Sequence, residues 1–346
     1  MLRPRLQISF SAKDAFRFLS GKRYVPERNR FLLNHARTGI YVALQTLHLP
    51  PNAKIAVMTY NCNSVMAAIA KAGYNIVFVD ITEKLQINLQ DLAQKIEGVS
   101  VLVVTHLYGI VNDIDAIKAL YPHLIIVEDC AHAWHSKSKG NVCGEKGDFS
   151  VFSVGQAKLP SIGDGGILQV NNAKYLSAVR EQVAKLPTYS AMQELILLLR
   201  LKISSLLFLP GIYGMWHLFK PQRVNTGDFV PMQMAHGVSR LLLSKQKETD
   251  SLIRNRRTNC DAWLAKLPPE LLPIIGDEGW NCFMLPVWCE NQTSVIKNFA
   301  HNDIEVAVHF KNAIAWARNY GYSDGSCPIS ETIVNHLVTI PTYYTI

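Results

Sequence analysis

Between residues 54 and about 170 the chain alternates short runs rich in valine and isoleucine with stretches in which apolar residues recur every three or four positions. The first pattern is that of strands covered on both faces, and the second that of helices with one buried face. Together they predict βα units feeding a mostly parallel sheet. Strands are expected at 54–58, 75–79, 101–105, 124–128, 149–154 and 166–170. Helices are expected at 38–47, 64–72, 89–96 and 113–120, the last with Asp113 as its N-cap. From Met232 a long periodic segment predicts a helix that stops before Pro268 and Pro269, because proline cannot supply the next N–H. Beyond it, 283–288, 295–302, 305–309 and 333–337 form a mixed set of short strands and helices. The expected fold class is α/β, with a large domain at 1–230 built on a mostly parallel central sheet. A smaller α+β C-terminal domain at 231–346 includes the long helix.

One segment departs from this alternation. Residues 195–219, LILLLRLKISSLLFLPGIYGMWHLF, are almost continuously apolar. A spanning helix needs about 20 apolar residues in a row, and Arg200, Lys202 and Pro210 interrupt this one. Two expectations follow: a peripheral contact with a membrane or a partner protein, or a pair of helices packed on the protein's own core or dimer interface.

Composition narrows the function classes. Hydrophobic residues make up 49% of the 346 positions and charged residues 18%, which excludes a disordered chain. The net charge of +8 favours anionic partners such as a phosphorylated cofactor or a nucleotide-linked substrate. No nucleic-acid motif accompanies that charge, and the basic residues are scattered, so no nucleic-acid partner is expected. The seven cysteines are widely spaced with no CxxC pair; they read as reduced thiols of a cytoplasmic protein, with no metal site. The N-terminal residues contain no apolar stretch of signal-peptide length.

Two segments carry chemistry. In HLIIVEDCAHAWHS a buried-looking strand runs into Glu128, Asp129 and His132, which the strand delivers to the carboxyl edge of the sheet, where α/β proteins bind ligands. In GDFSVFSVGQAKLPSIGDGG a second strand is followed by Ser153, Lys158 and a glycine-rich turn. A lysine just past a buried strand loses solvation, which lowers its pKa and makes it a nucleophile toward carbonyls. Each segment alone also fits a structural role: a capping acid, a surface lysine, a tight turn. Pyridoxal phosphate (PLP) asks a protein for a lysine, a carboxylate facing its ring nitrogen and donors for its phosphate, and Lys158, Asp129 and Ser153 are candidates for all three.

These residues resemble the DegT/StrS family of PLP-dependent nucleotide-sugar aminotransferases, which are fold-type-I enzymes. The resemblance rests on VEDCAHA, FSVGQAK followed by GDGG, THLYG at 105–109, AGYNIVFVDI at 72–81 and the helix beginning MQMAHGVSRLL. It implies that Lys158 is the Schiff-base lysine and moves the proton, that Asp129 pairs with the ring nitrogen, and that His132 borders the ring. It places Ser153 at the phosphate, together with Ala36, Arg37 and Thr38 at a helix start where free N–H groups favour an anion. The ring-stacking position falls at Cys62, where the family commonly has an aromatic residue, with Tyr60 two residues away. PQRVNTGDFVP matches the family's partner-contributed stretch poorly and leaves Asn225 a weak candidate. The implied activity is transamination of a nucleotide-linked keto sugar with an amino-acid donor, usually glutamate, in polysaccharide or glycoconjugate biosynthesis by a homodimer. The alternatives are a PLP-dependent sugar dehydratase, in whose relatives a histidine replaces the lysine, and a catalytically weak PLP-binding regulator.

Overall fold

The computed structural model describes residues 2–6, 8–219 and 227–344. In the first half of the chain, helices α1 (Ala12–Ser20), α2 (Ala36–Thr46), α3 (Asn63–Lys71), α4 (Leu89–Lys95) and α5 (Ile114–Leu120) alternate with strands. Those strands are β1 (Arg30–Leu33), β2 (Lys54–Met58), β3 (Asn75–Val79), β4 (Val99–Thr105) and β5 (Ile125–Asp129). A small hairpin, β6 (Lys137–Ser138) and β7 (Asn141–Val142), then leads to β8 (Phe149–Ser153) and β9 (Gly166–Val170).

Seven of these strands form one sheet in the order β1-β9-β8-β5-β4-β2-β3. Strands β3, β2, β4, β5 and β8 are mutually parallel, and β9 runs against both β8 and β1. The fold class expected from sequence is therefore observed. The central strands are mostly apolar because both faces are covered: Val57, Val103, Val127 and Val151 pack on one side with α2 and α3, and Ala56, Leu102, Val104 and Ile126 on the other. Asp113 caps α5 as expected, accepting the Ala116 N–H at 3.0 Å. Strand β1 is an addition, since only one of its four residues is buried and its sequence shows no alternation.

The second half begins with α6 (Leu176–Ala184), α7 (Ala191–Leu207) and α8 (Pro210–Phe219). The long helix expected from Met232 is two helices, α9 (His236–Lys245) and α10 (Thr249–Leu264), joined by a 3₁₀ turn at Gln246–Glu248. Then follow β10 (Leu272–Pro273), β11 (Leu285–Trp288), α11 (Gln292–His301), α12 (Ala313–Arg318), α13 (Pro328–His336) and β12 (Leu337–Ile340). Strands β10, β11 and β12 form a separate antiparallel sheet. It shares a core with α10 and α11 through Cys260, Trp263, Leu285, Val287 and Val338. Helices α9 and α12 instead pack in the cores of the large sheet, through Leu241 and Leu242 and through Ile314 and Ala317.

The apolar segment 195–219 packs on the protein's own core along one face. Leu197 and Leu201 of α7 are buried with Phe18, Phe152 and Leu241, so one face belongs to the protein's own core. The opposite face is exposed. No described helix is long and apolar enough to cross a membrane.

Candidate active site

Parallel strands bring their carboxyl ends to one edge of the sheet, and the chemistry gathers there. Asn61 and Cys62 follow β2, Thr105 ends β4, Asp129 ends β5, Ser153 ends β8 and Lys158 lies in the loop after it. All of them line one pocket of about 450 Å³, together with His35, Ala36 and Arg37 at the start of α2, and His132, His309 and Phe310. That volume lies within the usual range for small-ligand sites, roughly 300–1,000 Å³.

Glu128 and Asp129 are successive strand residues and so face opposite sides of the sheet. Glu128 turns away from the pocket and accepts N–H groups from Gly144, Lys146 and Gly147 and the His106 ring. Burial pushes its pKa up, but these donors outweigh burial and leave it lowered. Its role is to hold the 144–147 loop. Asp129 faces the pocket. Its Oδ1 accepts the Ala131 N–H at 3.0 Å, while Oδ2 has only the Thr105 hydroxyl at 3.4 Å. Burial raises its pKa, and the Ala131 N–H, Lys158 and His106 only partly offset that.

Lys158 is the complementary case. Desolvation lowers its pKa to about 8, against the pull of Cys62 and Asp129. At pH 7 roughly a tenth of such an amine is unprotonated, several hundredfold more than for a free lysine. Its Nζ stands 5.2 Å from the centre of the Phe283 ring. The His132 ring stacks on Phe283 at 4.4 Å, and its Nδ1 accepts the Tyr108 N–H at 3.3 Å. Burial, with Lys158 and His309 nearby, holds His132 well below the ordinary histidine pKa, so it is neutral.

The start of α2 is open. No side chain caps it and its first turn contains no acid, so its free N–H groups and positive dipole end face the pocket beside His35, Ala36 and Arg37. Gly166 permits this placement: a Cβ there would stand 2.2 Å from the Ala36 nitrogen. Ser153 Oγ accepts the Gly155 N–H at 3.3 Å, which leaves its own proton to donate. Thr38 corrects the expectation. Its hydroxyl donates to Asn34 Oδ1 at 2.7 Å and its N–H to the His35 carbonyl, so it is spent within the helix start and does not line the pocket.

Of the two candidates for the ring-stacking position, Cys62 lines the pocket. Tyr60 is fully buried in the core, with its hydroxyl 3.0 Å from that of Tyr108. Asn225 lies outside the described residues. The sequence reading missed Asn61, which donates to Thr105 at 2.7 Å, and His309 and Phe310, which arrive from the C-terminal half without a motif. It also missed Arg200 and Ser204, carried to the pocket by one flank of α7, and Asp164, which accepts from Arg200 at 2.5 Å. Behind Asp129, His106, Glu128, Cys130 and Cys143 are buried with donor atoms within 4.8 Å of one another, a set of the types that bind zinc. The carboxylate and the ring are saturated by protein partners, Asn112 N–H donating to His106 Nδ1, and the two sulfurs contact each other at 3.4 Å. The cluster reads as packing behind the pocket floor.

The pocket fits PLP on three observations: a buried carboxylate short of counter-charge, a desolvated amine, and an uncapped helix start beside a free hydroxyl. Comparison with known proteins agrees. Over 144 residues the chain is 31% identical to GDP-perosamine synthase of Escherichia coli O157:H7, covering 40% of each chain. Over 146 residues it is 29% identical to a UDP-N-acetyl-3-dehydro-α-D-glucosamine 3-aminotransferase of Acidithiobacillus ferrooxidans, covering 39% of this chain and 38% of that one. The matched stretches thus span only about two fifths of these relatives. A putative sugar aminotransferase from Streptococcus pneumoniae, solved in its PLP form, shares the fold with a TM-score of 0.77 at 17% identity, over 99% of this chain and 94% of that one. The model of the DegT/DnrJ/EryC1/StrS aminotransferase family matches residues 22–194, half of the sequence and the span that holds Lys158, Asp129 and the start of α2. The chain belongs to that family, whose members bind PLP.

Proposed function

We propose that this protein is a PLP-dependent aminotransferase that converts a nucleotide-linked keto sugar to the amino sugar, with glutamate as amino donor, in polysaccharide or glycoconjugate biosynthesis. The observation that carries the reading is the pairing of Lys158 and Asp129 in one pocket, each pushed toward its neutral form by burial. PLP, when bound, supplies the carbonyl that takes up the amino group and the electron-poor ring that stabilises charge beside it. Lys158 would hold the cofactor and, once released, take a proton from the carbon of whichever substrate is bound and return it at the cofactor, or the reverse, a task suited to an amine with a pKa of about 8. Asp129 would face the ring nitrogen and keep its proton in place. Neutral His132 and Cys62 would bound the ring, and Ser153, Ala36 and Arg37 would hold the phosphate. Arg200 and His35 at the rim offer groups for the substrates' carboxylate or phosphates.

Donor and acceptor use the same pocket in turn, which requires ping-pong kinetics. The protein is assigned as a homodimer in the cytoplasm, in line with the prevalence of two-fold assemblies. The test is spectroscopic. The purified protein with PLP should show a near-ultraviolet or visible cofactor band that glutamate bleaches and that one member of a panel of nucleotide-linked keto sugars restores. A cofactor band unmoved by any amino acid would leave a PLP-binding protein without this activity.

A further inference from the structure

The outward face of α7 is an unusual surface. Met192, Leu195, Ile196, Leu199, Ile203 and Leu206 are between 44% and 64% exposed. At 3.6 residues per turn they fall in one stripe about 100° wide along about 21 Å of helix. Leu209, Ile212 and Met215 extend the exposed apolar surface into α8. Lys202 flanks the stripe on one side, Arg200 on the other is paired with Asp164 at the pocket, and the helix's one acid, Glu194, turns inward to accept the N–H groups of His236 and Gly237.

Charge is concentrated in the segment that packs against the inner face of this helix. The first thirty residues contain eight basic and two acidic side chains, so six of the chain's eight net positive charges lie there. This segment is bound to α7: Lys202 Nζ and Ser205 Oγ both reach the Phe10 carbonyl, and Phe18 of α1 shares a core with Leu197 and Leu201. Lys13, Lys22, Arg23 and Arg28 are exposed, and so are Phe16 and Leu19 of α1. The two acids of the segment are occupied, Asp14 by Ser11 and Lys245 and Glu27 by Arg30.

We infer that the α1–α7–α8 face docks on the surface of an anionic phospholipid bilayer, with α7 lying in the plane of the interface. An apolar stripe flanked by basic residues and cleared of acids is the arrangement by which interfacial helices combine apolar burial with attraction to anionic headgroups. A two-fold contact through the same face would set one basic rim against another, which like-charge repulsion disfavours. The inference is independent of the reaction assigned to the pocket.

The test is flotation of the PLP-loaded protein with vesicles of phosphatidylcholine alone and of phosphatidylcholine with a minor share of phosphatidylglycerol. The expected result is flotation with the anionic vesicles, weakened by salt, and little with the neutral ones. Replacing Leu199, Ile203 and Leu206 with glutamine should lower the bound fraction at least about tenfold while the cofactor band persists, because these side chains face outward. A second variant, Lys13→Glu with Lys22→Glu and Arg23→Glu, should lose the preference for anionic vesicles. Absence of flotation, or binding indifferent to lipid charge and salt, overturns the inference. So does a glutamine variant that sediments as a smaller assembly than the parent protein, which would make the stripe a subunit interface.

Discussion

Burial drives Lys158 and Asp129 in the same direction, each toward loss of charge, and this gives the pocket a pH signature. Only unprotonated amine attacks a carbonyl, so PLP uptake by the apo-protein should accelerate as pH rises to about 8 and then level off. A rate that still climbs toward pH ~10 would mark an ordinary lysine. The folded pKa lies below the unfolded one, so the unfolded chain binds the extra proton between those values. This lysine therefore disfavours the apo fold at neutral pH and ceases to do so as pH rises through that window. Asp129→Asn should retain PLP yet turn over about a hundredfold more slowly or worse, since an amide supplies no charge to the ring nitrogen. Glu128 cannot substitute, being saturated on the far side of the strand. Near-normal turnover in the folded variant would remove Asp129 from the role. The two acids are adjacent in sequence, and strand alternation separates them only once the direction of one is known.

At the scale of elements, the pocket depends on how closely β9 approaches the start of α2. A methyl group on Gly166 would overlap backbone atoms of His35 and Ala36, which have no rotamer by which to move aside. Gly166→Ala should therefore cost about 1–3 kcal/mol in urea unfolding, or more, and loosen PLP. Unchanged stability and cofactor affinity would show that the two segments are free to separate. Strands β2, β3 and β9 were legible to the residue because each is a five-residue run rich in Val, Ile and other apolar residues, with proline, glycine or asparagine close by to mark its limits. Strand β1 was not, since four half-covered residues gain their pairing from β9, more than 130 positions away. The break between α9 and α10 falls at Gln246–Glu248, where no proline or glycine announces it.

For the whole molecule, the candidates read from the sequence that line the pocket lie between residues 36 and 158, at the start of α2 or just at and beyond strand ends, although Asn61 beyond β2 was not among them. Those that arrive by tertiary packing, His309 and Phe310 from the C-terminal half and Arg200 from α7, have no local pattern to show it. The charge was legible as a total, but that the most basic stretch of the chain includes α1, a neighbour of the apolar α7, emerged only once the two were seen to share a core.

Helix α7 belongs to two surfaces at once. One flank sends Arg200 to Asp164 at the pocket mouth, and the stripe beside it looks outward. Any event that moves this helix as a rigid body is felt at both. Thermodynamic reciprocity then fixes their relation: whatever factor occupancy of the outer face imposes on affinity at the pocket, a ligand in the pocket imposes on affinity at the outer face. A helix that stays still makes that factor one in both directions, and a helix that shifts makes substrate itself a regulator of where the protein resides.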